Sequence, residues 1–217
     1  LVSASVGDYL KEWKTLDFNY PIHPNETQYQ ITRTMQELYE QTVVSSLNNL
    51  DLEQLRQAAS LMKKVPSIDL YTSAGNLFFA ENFKLQMQEI GRFVNVPIEE
   101  YHQRLTAAAS DPSHLSIVVS YGGRGTVIPE IVKILKNNRS PILLITSTDA
   151  IPFAGAATHH LYMSSNESHY NKISSFSTRL SLLFLLDCLY TSYFKLDYDH
   201  NVAMKMDYYK KISRITW

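Results

Sequence analysis

The sequence predicts an α/β domain: a three-layer α/β/α sandwich on a five-stranded parallel sheet, with a helical N-terminal extension. Three observations lead there. Short β-branched or aliphatic runs alternate with helical stretches from residue 67 to residue 164, the spacing of βαβ units and a parallel sheet. Two of those runs, "SIVVS" and "ILLIT", are nearly continuous in apolar residues, as in strands covered on both faces. The chain has 217 residues, 45% hydrophobic and 19% charged. A chain of that size hides roughly 70% of its unfolded surface and folds around a real core.

The elements follow in order. Residues 1–14 resemble the end of a helix, and the segment up to residue 26, with Pro21, Pro24 and Asn25, is a linker. The domain proper spans 27–217. Asn25 or Thr27 caps a helix over 27–50, one face of which carries Ile31, Met35, Leu38, Thr42 and Ser45 or Ser46, with Leu47 continuing it. Asp51, with Gln54 three positions on, opens a helix over 51–64 through a capping box, and Pro66 closes it. Strands are expected at 67–73, 93–99, 115–121, 141–147 and 159–164. Pro97 marks the second of these as an edge. Helices are expected at 76–91, 101–110 and 125–137, a helical turn at 150–156, and two closing helices at 172–195 and 201–213.

Composition narrows the function. With 20 basic against 21 acidic side chains, the net charge is −1. No basic excess announces a nucleic-acid surface on this chain. A single cysteine, Cys188, sits in the apolar run "SLLFLLDCLY" as a buried small hydrophobe and forms no internal disulfide, which suits a reducing compartment. There is no signal-peptide pattern, and no apolar run approaches the roughly 20 residues that span a bilayer. A cytoplasmic, membrane-free protein is expected. The first residue is Leu, so a piece of a longer protein is expected too.

The chemistry gathers at three strand ends, where open parallel sheets bind ligands. The first, "YTSAGNLFF", offers Ser73, Gly75 and Asn76 at a helix start, whose N–H groups favour an anion. The second, "SYGGRGT", places Gly122, Gly123 and Gly125 around Arg124, with hydroxyls at Ser120 and Thr126. Glycine permits close backbone approach, and Arg124 can clamp a phosphate with a two-pronged bond. The loop is neither a P-loop nor a dinucleotide fingerprint. The third, "LLITSTDAIPF", supplies Thr146, Ser147 and Thr148, with Asp149 as a cap. Together they predict a phosphate pocket.

"IDLYTSAGNLFFAENF", "IVVSYGGRGTVIPEIVKILKNN", "PILLITSTDAIPFAGAATHHLYM" and "KISSFSTRLSLLFLLDCLYTSYF" stand in an order that resembles the sugar isomerase (SIS) domain over residues 50–195. More closely, the whole chain resembles the effector-binding half of RpiR-type bacterial transcriptional regulators. The resemblance implies a domain that binds a phosphorylated sugar or amino sugar and forms a homodimer or higher homo-oligomer. DNA would be bound only through an N-terminal helix-turn-helix domain, which this chain lacks ahead of Asp17. No cofactor and no metal are implied. The chain departs from the family pattern at Asn76, Gly122 and Gly125, where hydroxyl residues are usual, and Thr126 lies one position late. Two lost hydroxyls weaken phosphate binding, since each hydrogen bond nets about 1 kcal/mol.

The alternative is a phosphosugar isomerase of the same fold. It needs a general base beside the sugar's C1–C2 bond. Glu167 and His169 in "SSNESHYNK" are the candidates, in a loop able to fold over the ligand, with Lys172 in reach of a phosphate. His159 and His160 lack a third metal ligand beside them in the sequence, and His102 and His114 are isolated. No nucleophile–base–acid arrangement is visible. A helix end and linker ahead of the domain fit a severed DNA-binding head, which an isomerase does not need. The sensor is therefore the expected function, with helices 27–50 and 172–195 as its dimer and relay elements; a dimerisation scaffold without ligand is a third reading.

Overall fold

The computed structural model describes residues 15–123, 126–148, 154–164 and 166–213. Helices α1 (Gln28–Asn48) and α2 (Leu52–Lys64) precede β1 (Ser67–Tyr71), α3 (Asn76–Gln88) and α4 (Glu100–Ala109). Then come β2 (His114–Val119), α5 (Val127–Asn137), β3 (Ile142–Ser147), a single 3-10 turn (Ala154–Ala156) and β4 (His159–Met163). Helices α6 (Phe176–Lys195) and α7 (Tyr198–Ser213) finish the chain. The residues expected to end a preceding helix, 1–14, lie outside the described set.

Among the described residues the sheet has four parallel strands in the order β1-β2-β3-β4, not five. The expected strand at 93–99 shrinks to one bridge between Asn95 and Asp69. Asn95 N–H donates to Ile68 O at 2.9 Å, and Leu70 N–H donates to Asn95 O at 2.8 Å. The next rung of a parallel ladder would need an N–H from residue 97. That residue is Pro97, so pairing stops there.

This truncated segment still fixes the topology. It lies on the edge of β1 away from β2, so the chain steps outward after β1 and then crosses back to lay down β2, β3 and β4. The strand order therefore reverses between β1 and β2, the place where open α/β sheets leave a crevice.

Alternation along the strands divides the core. Ile68, Leu70, Leu115, Ile117, Val119, Leu143 and Ile145 face α2, α3 and α6. Tyr71, Val118, Ile142 and Leu144 face α5 and Ala107 of α4. Both faces are covered, which is why "SIVVS" and "ILLIT" carry apolar residues in both directions. The result is the three-layer sandwich, with α1 added outside α6.

Capping chemistry sets the helix starts. Thr27, not Asn25, caps α1, in a reciprocal box with Gln30. Asp51 caps α2 by accepting from Glu53 N–H and Gln54 N–H. The Gln54 side chain does not return the bond; its Oε1 lies 3.2 Å from His159 Nδ1 and accepts from His160 N–H. Among the described residues, no helix is long and apolar enough to cross a membrane.

Helix α1 meets α6 through hydroxyls rather than aliphatic side chains. Thr42 donates to Ser177 at 2.8 Å and Ser46 to Ser181 at 2.7 Å, all four being buried. Equal four-residue steps on both helices mean that they run parallel, and small side chains let them approach closely.

One buried charge stands apart from this core. Asp69, 5% exposed, accepts one bond from Asn95 Nδ2 at 2.8 Å, and its Oδ2 has no partner among the described residues. Burial pushes its carboxyl above the ordinary range, against the opposing pull of Asn95 and His114. A raised folded pKa means that the native state keeps the proton longer than the unfolded chain. Stability is then fullest below the ordinary carboxylate pKa, falls as pH rises to the folded value, and stays level above it. Asp69→Asn retains the acceptor for Asn95 and removes the charge. Its thermal midpoint should exceed wild type at neutral pH and converge with it in acid. Identical pH profiles for the two proteins would show that Asp69 carries no such penalty.

Candidate functional site

A cavity of about 390 Å³ opens at the strand-order reversal. Its floor is tied together from below. Thr72 donates through its hydroxyl to Val119 O at 3.0 Å, joining the ends of β1 and β2. Gln103 of α4 donates to Thr72 O at 2.7 Å and to Pro97 O at 3.0 Å, fixing the first turn to the edge segment.

Beyond Thr72 the chain turns sharply. Ala74 takes φ 51°, a left-handed conformation that costs an alanine roughly 1–2 kcal/mol. Strain of this kind is kept where the surrounding structure dictates it, and functional turns are common hosts. Ser73, Gly75 and Asn76 face the cavity, and α3 starts at Gly75 with no side-chain cap. A methyl group added at Gly75 would meet nothing within 4 Å.

The second strand end contributes Ser120, Tyr121 and Gly122. Ser120 Oγ accepts from Gly123 N–H at 3.1 Å, which leaves the hydroxyl proton to donate elsewhere. Gly123 has φ 63°, open to glycine at no steric cost, and it is buried rather than lining the cavity. Thr126 is exposed at the N-cap of α5 and makes no side-chain cap bond. Pro129 falls in the first turn of α5, where its missing N–H is tolerated. Arg124, Gly125 and the proposed cap Asp149 lie outside the described residues.

The third wall was only partly foreseen. The loop after β4 folds over the two strand ends and brings His169, Tyr170 and Lys172 to the cavity. The start of α6 adds Ser175, Thr178 and Arg179. Tyr121 stacks on His169 with ring centroids 6.0 Å apart, and the Lys172 ammonium lies 5.2 Å from the Tyr121 ring centre.

Glu167 is the anchor of this wall and not part of its surface. Its side chain is 0% exposed and that of Lys172 9% exposed, with Lys172 Nζ 3.2 Å from its carboxylate. The same carboxylate accepts from Ser177 N–H, from Thr178 N–H at 3.3 Å and from the Thr178 hydroxyl at 2.7 Å. It thus caps α6 from a distance, where Ser175, the N-cap residue, makes no side-chain bond. Its backbone carbonyl accepts the Tyr121 hydroxyl. The placement of Glu167 among ligand-contacting residues is corrected accordingly: it holds the wall from behind.

Thr146 and Ser147 need a second correction. They end β3, one strand away from the reversal, and do not line the cavity. Both are fully buried. Thr146 Oγ1 lies 2.6 Å from His160 Nε2, and it donates to Ser147 O at 3.1 Å. Burial pushes the pKa of both His159 and His160 down. Neutral imidazoles bonded to Gln54 and Thr146 are structural partners at the rim of β4.

Six expected residues therefore share one cavity: Ser73, Gly75, Asn76, Ser120, Gly122 and Lys172. The expected list omitted Tyr121, Tyr170, Ser175, Thr178 and Arg179. The last three follow a polar loop at the start of a long helix, a place where donors cluster, but only the tertiary fold brings that helix back to β1 and β2. A larger groove of about 600 Å³ lies between residues 15–26 and α1 and touches no strand end.

Chemically, the cavity offers the hydroxyls of Ser73 and Ser120, the cationic side chains of Lys172 and Arg179, and the beginning of α3, while the α6 start is already taken by the Glu167 carboxylate. That set suits an anionic headgroup. The tyrosines and Val119 and Ile128 supply apolar surface for the rest of a ligand.

Comparison with known proteins gives this geometry a context. An HTH-type transcriptional regulator of Haemophilus influenzae is 25% identical over 169 residues, 78% of this chain and 58% of that protein. The chain thus spans about half the length of the curated relatives it matches. Among solved structures, the Vibrio vulnificus NanR protein complexed with ManNAc-6P superposes with a TM-score of 0.78, at 13% identity over 86% of this chain and 70% of that one. The sugar isomerase domain of the RpiR transcription factor from Sphaerobacter thermophilus superposes with a TM-score of 0.69, at 16% identity over 86% of this chain and 98% of that one. Phosphosugar isomerases are also among the solved structures of this fold. The sequence profile of the SIS domain matches residues 61–192, from the end of α2 through most of α6, and the chain belongs to the SIS domain family.

Proposed function

We propose that this chain is the effector-binding domain of a DNA-binding transcriptional regulator, and that the cavity at the β1–β2 reversal takes a phosphorylated sugar of the amino-sugar class. The observation that carries the reading is the convergence of Ser73, Ser120, Lys172 and the start of α3 on one cavity. Its volume, about 390 Å³, lies within the usual range for small-molecule sites. The homologous proteins are transcriptional regulators, and NanR of the same fold is complexed with ManNAc-6P. Phosphate would sit against the hydroxyls and the start of α3, and the sugar ring against Tyr121 and Tyr170. DNA contact belongs to sequence outside this domain, and a ligand acts on it only by binding two arrangements unequally.

The isomerase alternative requires a base that reaches the sugar. Glu167 is fully enclosed and engaged by Ser177, Thr178 and Lys172, so it is no such base. His169 is the imidazole that faces the cavity. The placement of Glu167 favours the sensor.

Two predictions follow from these contacts. In a thermal-shift screen of hexose, pentose and amino-sugar phosphates, N-acetylmannosamine 6-phosphate among them, at least one should raise the midpoint while its unphosphorylated sugar does not. Ser120→Ala should weaken that ligand about fivefold, one hydrogen bond's worth, and Lys172→Met by about tenfold or more, a charged bond's worth. No stabilisation by any phosphate would refute the effector reading, and turnover of the ligand would move the assignment to the isomerase.

The second concerns the wall. Glu167→Gln strands a largely buried Lys172 and weakens the cap on α6, and should lower stability by about 3 kcal/mol in urea titration. Lys172→Met leaves Glu167 with its three donors from Ser177 and Thr178 and should cost clearly less. The reverse order would mean that Glu167 is not the structural anchor.

A further inference from the structure

The loop that closes the cavity is held from outside by the segment ahead of α1. Ser168 N–H donates to Asn19 Oδ1 at 2.7 Å, and Ile173 N–H donates to Asn19 O at 3.0 Å. The Tyr20 hydroxyl donates to Asn171 Oδ1 at 2.6 Å. The gripped residues, Ser168, Asn171 and Ile173, interleave with His169, Tyr170 and Lys172, which face the cavity. One side of a six-residue stretch is tied to the segment ahead of α1, and the other side lines the site.

That segment is shaped for its grip. Asp17 Oδ1 accepts from Asn19 N–H at 2.8 Å and Tyr20 N–H at 3.1 Å, a local turn that presents Asn19 before any tertiary contact. Pro21 is buried just after it. Between the segment and α1, by contrast, lies the groove of about 600 Å³ lined by Tyr20, Arg33 and Glu37. Its attachment to the loop is therefore tighter than its packing on the helix it leads into.

We propose that residues 17–21 are a strap whose hold on the loop 166–174 is thermodynamically linked to occupancy of the cavity. A filled cavity steadies Lys172 and His169 and with them the loop face that the strap grips. Tension on the chain ahead of Asp17 frees that face and lowers the cavity's affinity. Linkage makes the two effects equal in size. The inference rests on the effector reading for its ligand, and on the geometry of Asn19 and Tyr20 alone for the strap.

The test compares this chain with an Asn19→Ala/Tyr20→Phe double variant by hydrogen–deuterium exchange and by titration with inorganic phosphate. Both substitutions lie outside the core, and unchanged exchange in α2 and β1 confirms an intact fold. Amides at 175–179, which the strap does not touch, should exchange faster in the variant. Phosphate should bind the variant about tenfold more weakly, a typical coupling, and should slow exchange at residues 15–20 of the wild type. Asn19→Asp keeps the acceptor for Ser168 and should behave as wild type. Unchanged exchange at 175–179, or equal phosphate affinity in both proteins, would overturn the strap. If phosphate protects no cavity segment even in the wild type, the effector reading fails instead, and exchange at 175–179 alone then decides the strap.

Discussion

The enclosed carboxylate of Glu167 is the interaction on which the candidate site depends. Through its side chain it collects Ser177, Thr178 and Lys172, and through its backbone carbonyl it takes Tyr121. A loop, a helix start and a strand end are thereby joined at one residue. A buried carboxylate is costly unless charge and hydrogen bonds compensate it. Here a lysine and three donors do so, and the same bonds fix the cavity wall. The negative charge also sits at the positive end of the α6 dipole. Its consequence for recognition is a division of labour. Lys172 is partly neutralised from behind, so under the proposed reading an anion would depend on the hydroxyls and the α3 start as much as on net charge.

The cavity itself follows from the strand order. After β1 the chain pairs an edge segment, kept short by Pro97, on the far side of β1 and then crosses back to β2. The reversal lies between β1 and β2, and their two loops diverge above it. Thr72 and Gln103 keep the floor closed while the rims separate. The third strand end, at Thr146 and Ser147, continues in the same direction as its neighbour and has no such gap to face. Position relative to the reversal, rather than hydroxyl content, decides which strand ends line the cavity.

Much of this was legible in the residues. The alternation of apolar runs and helical stretches gave the layers, and "SIVVS" and "ILLIT" gave strands with two covered faces, as the split of Val118 from Ile117 and Val119 confirms. Pro97 was legible as an edge signal, though not as the stop that removes a strand. Of the residues expected at a site, Ser73, Gly75, Asn76, Ser120, Gly122 and Lys172 line one cavity, the first five because glycine and small polar residues cluster at the turns that follow β1 and β2. Glu167 was misplaced for a physical reason: a carboxylate in a polar loop has the same sequence signature whether it meets solvent, a ligand or a helix start. Arg179 and Thr178 were hidden because nothing local shows that α6 returns to β1 and β2.

The contact between α1 and α6 bears on how such a site communicates. Thr42 with Ser177 and Ser46 with Ser181 form buried hydroxyl pairs at equal steps along parallel helices. Ser181 also accepts from Ser164 N–H at 2.8 Å, at the end of β4. Sliding one helix along the other would break both pairs and leave the Ser177 and Ser181 hydroxyls in need of new partners, while Thr42 and Ser46 would keep their bonds to Leu38 O and Thr42 O. The two helices and β4 therefore behave as one body. The loop 166–174 is anchored to α6 and Tyr121 through the buried Glu167, whereas the segment gripping it from outside holds on by three bonds through Asn19 and Tyr20, the two side-chain ones exposed. The proposed strap, rather than the Glu167 anchor or the α1–α6 seam, is therefore the attachment that gives most readily.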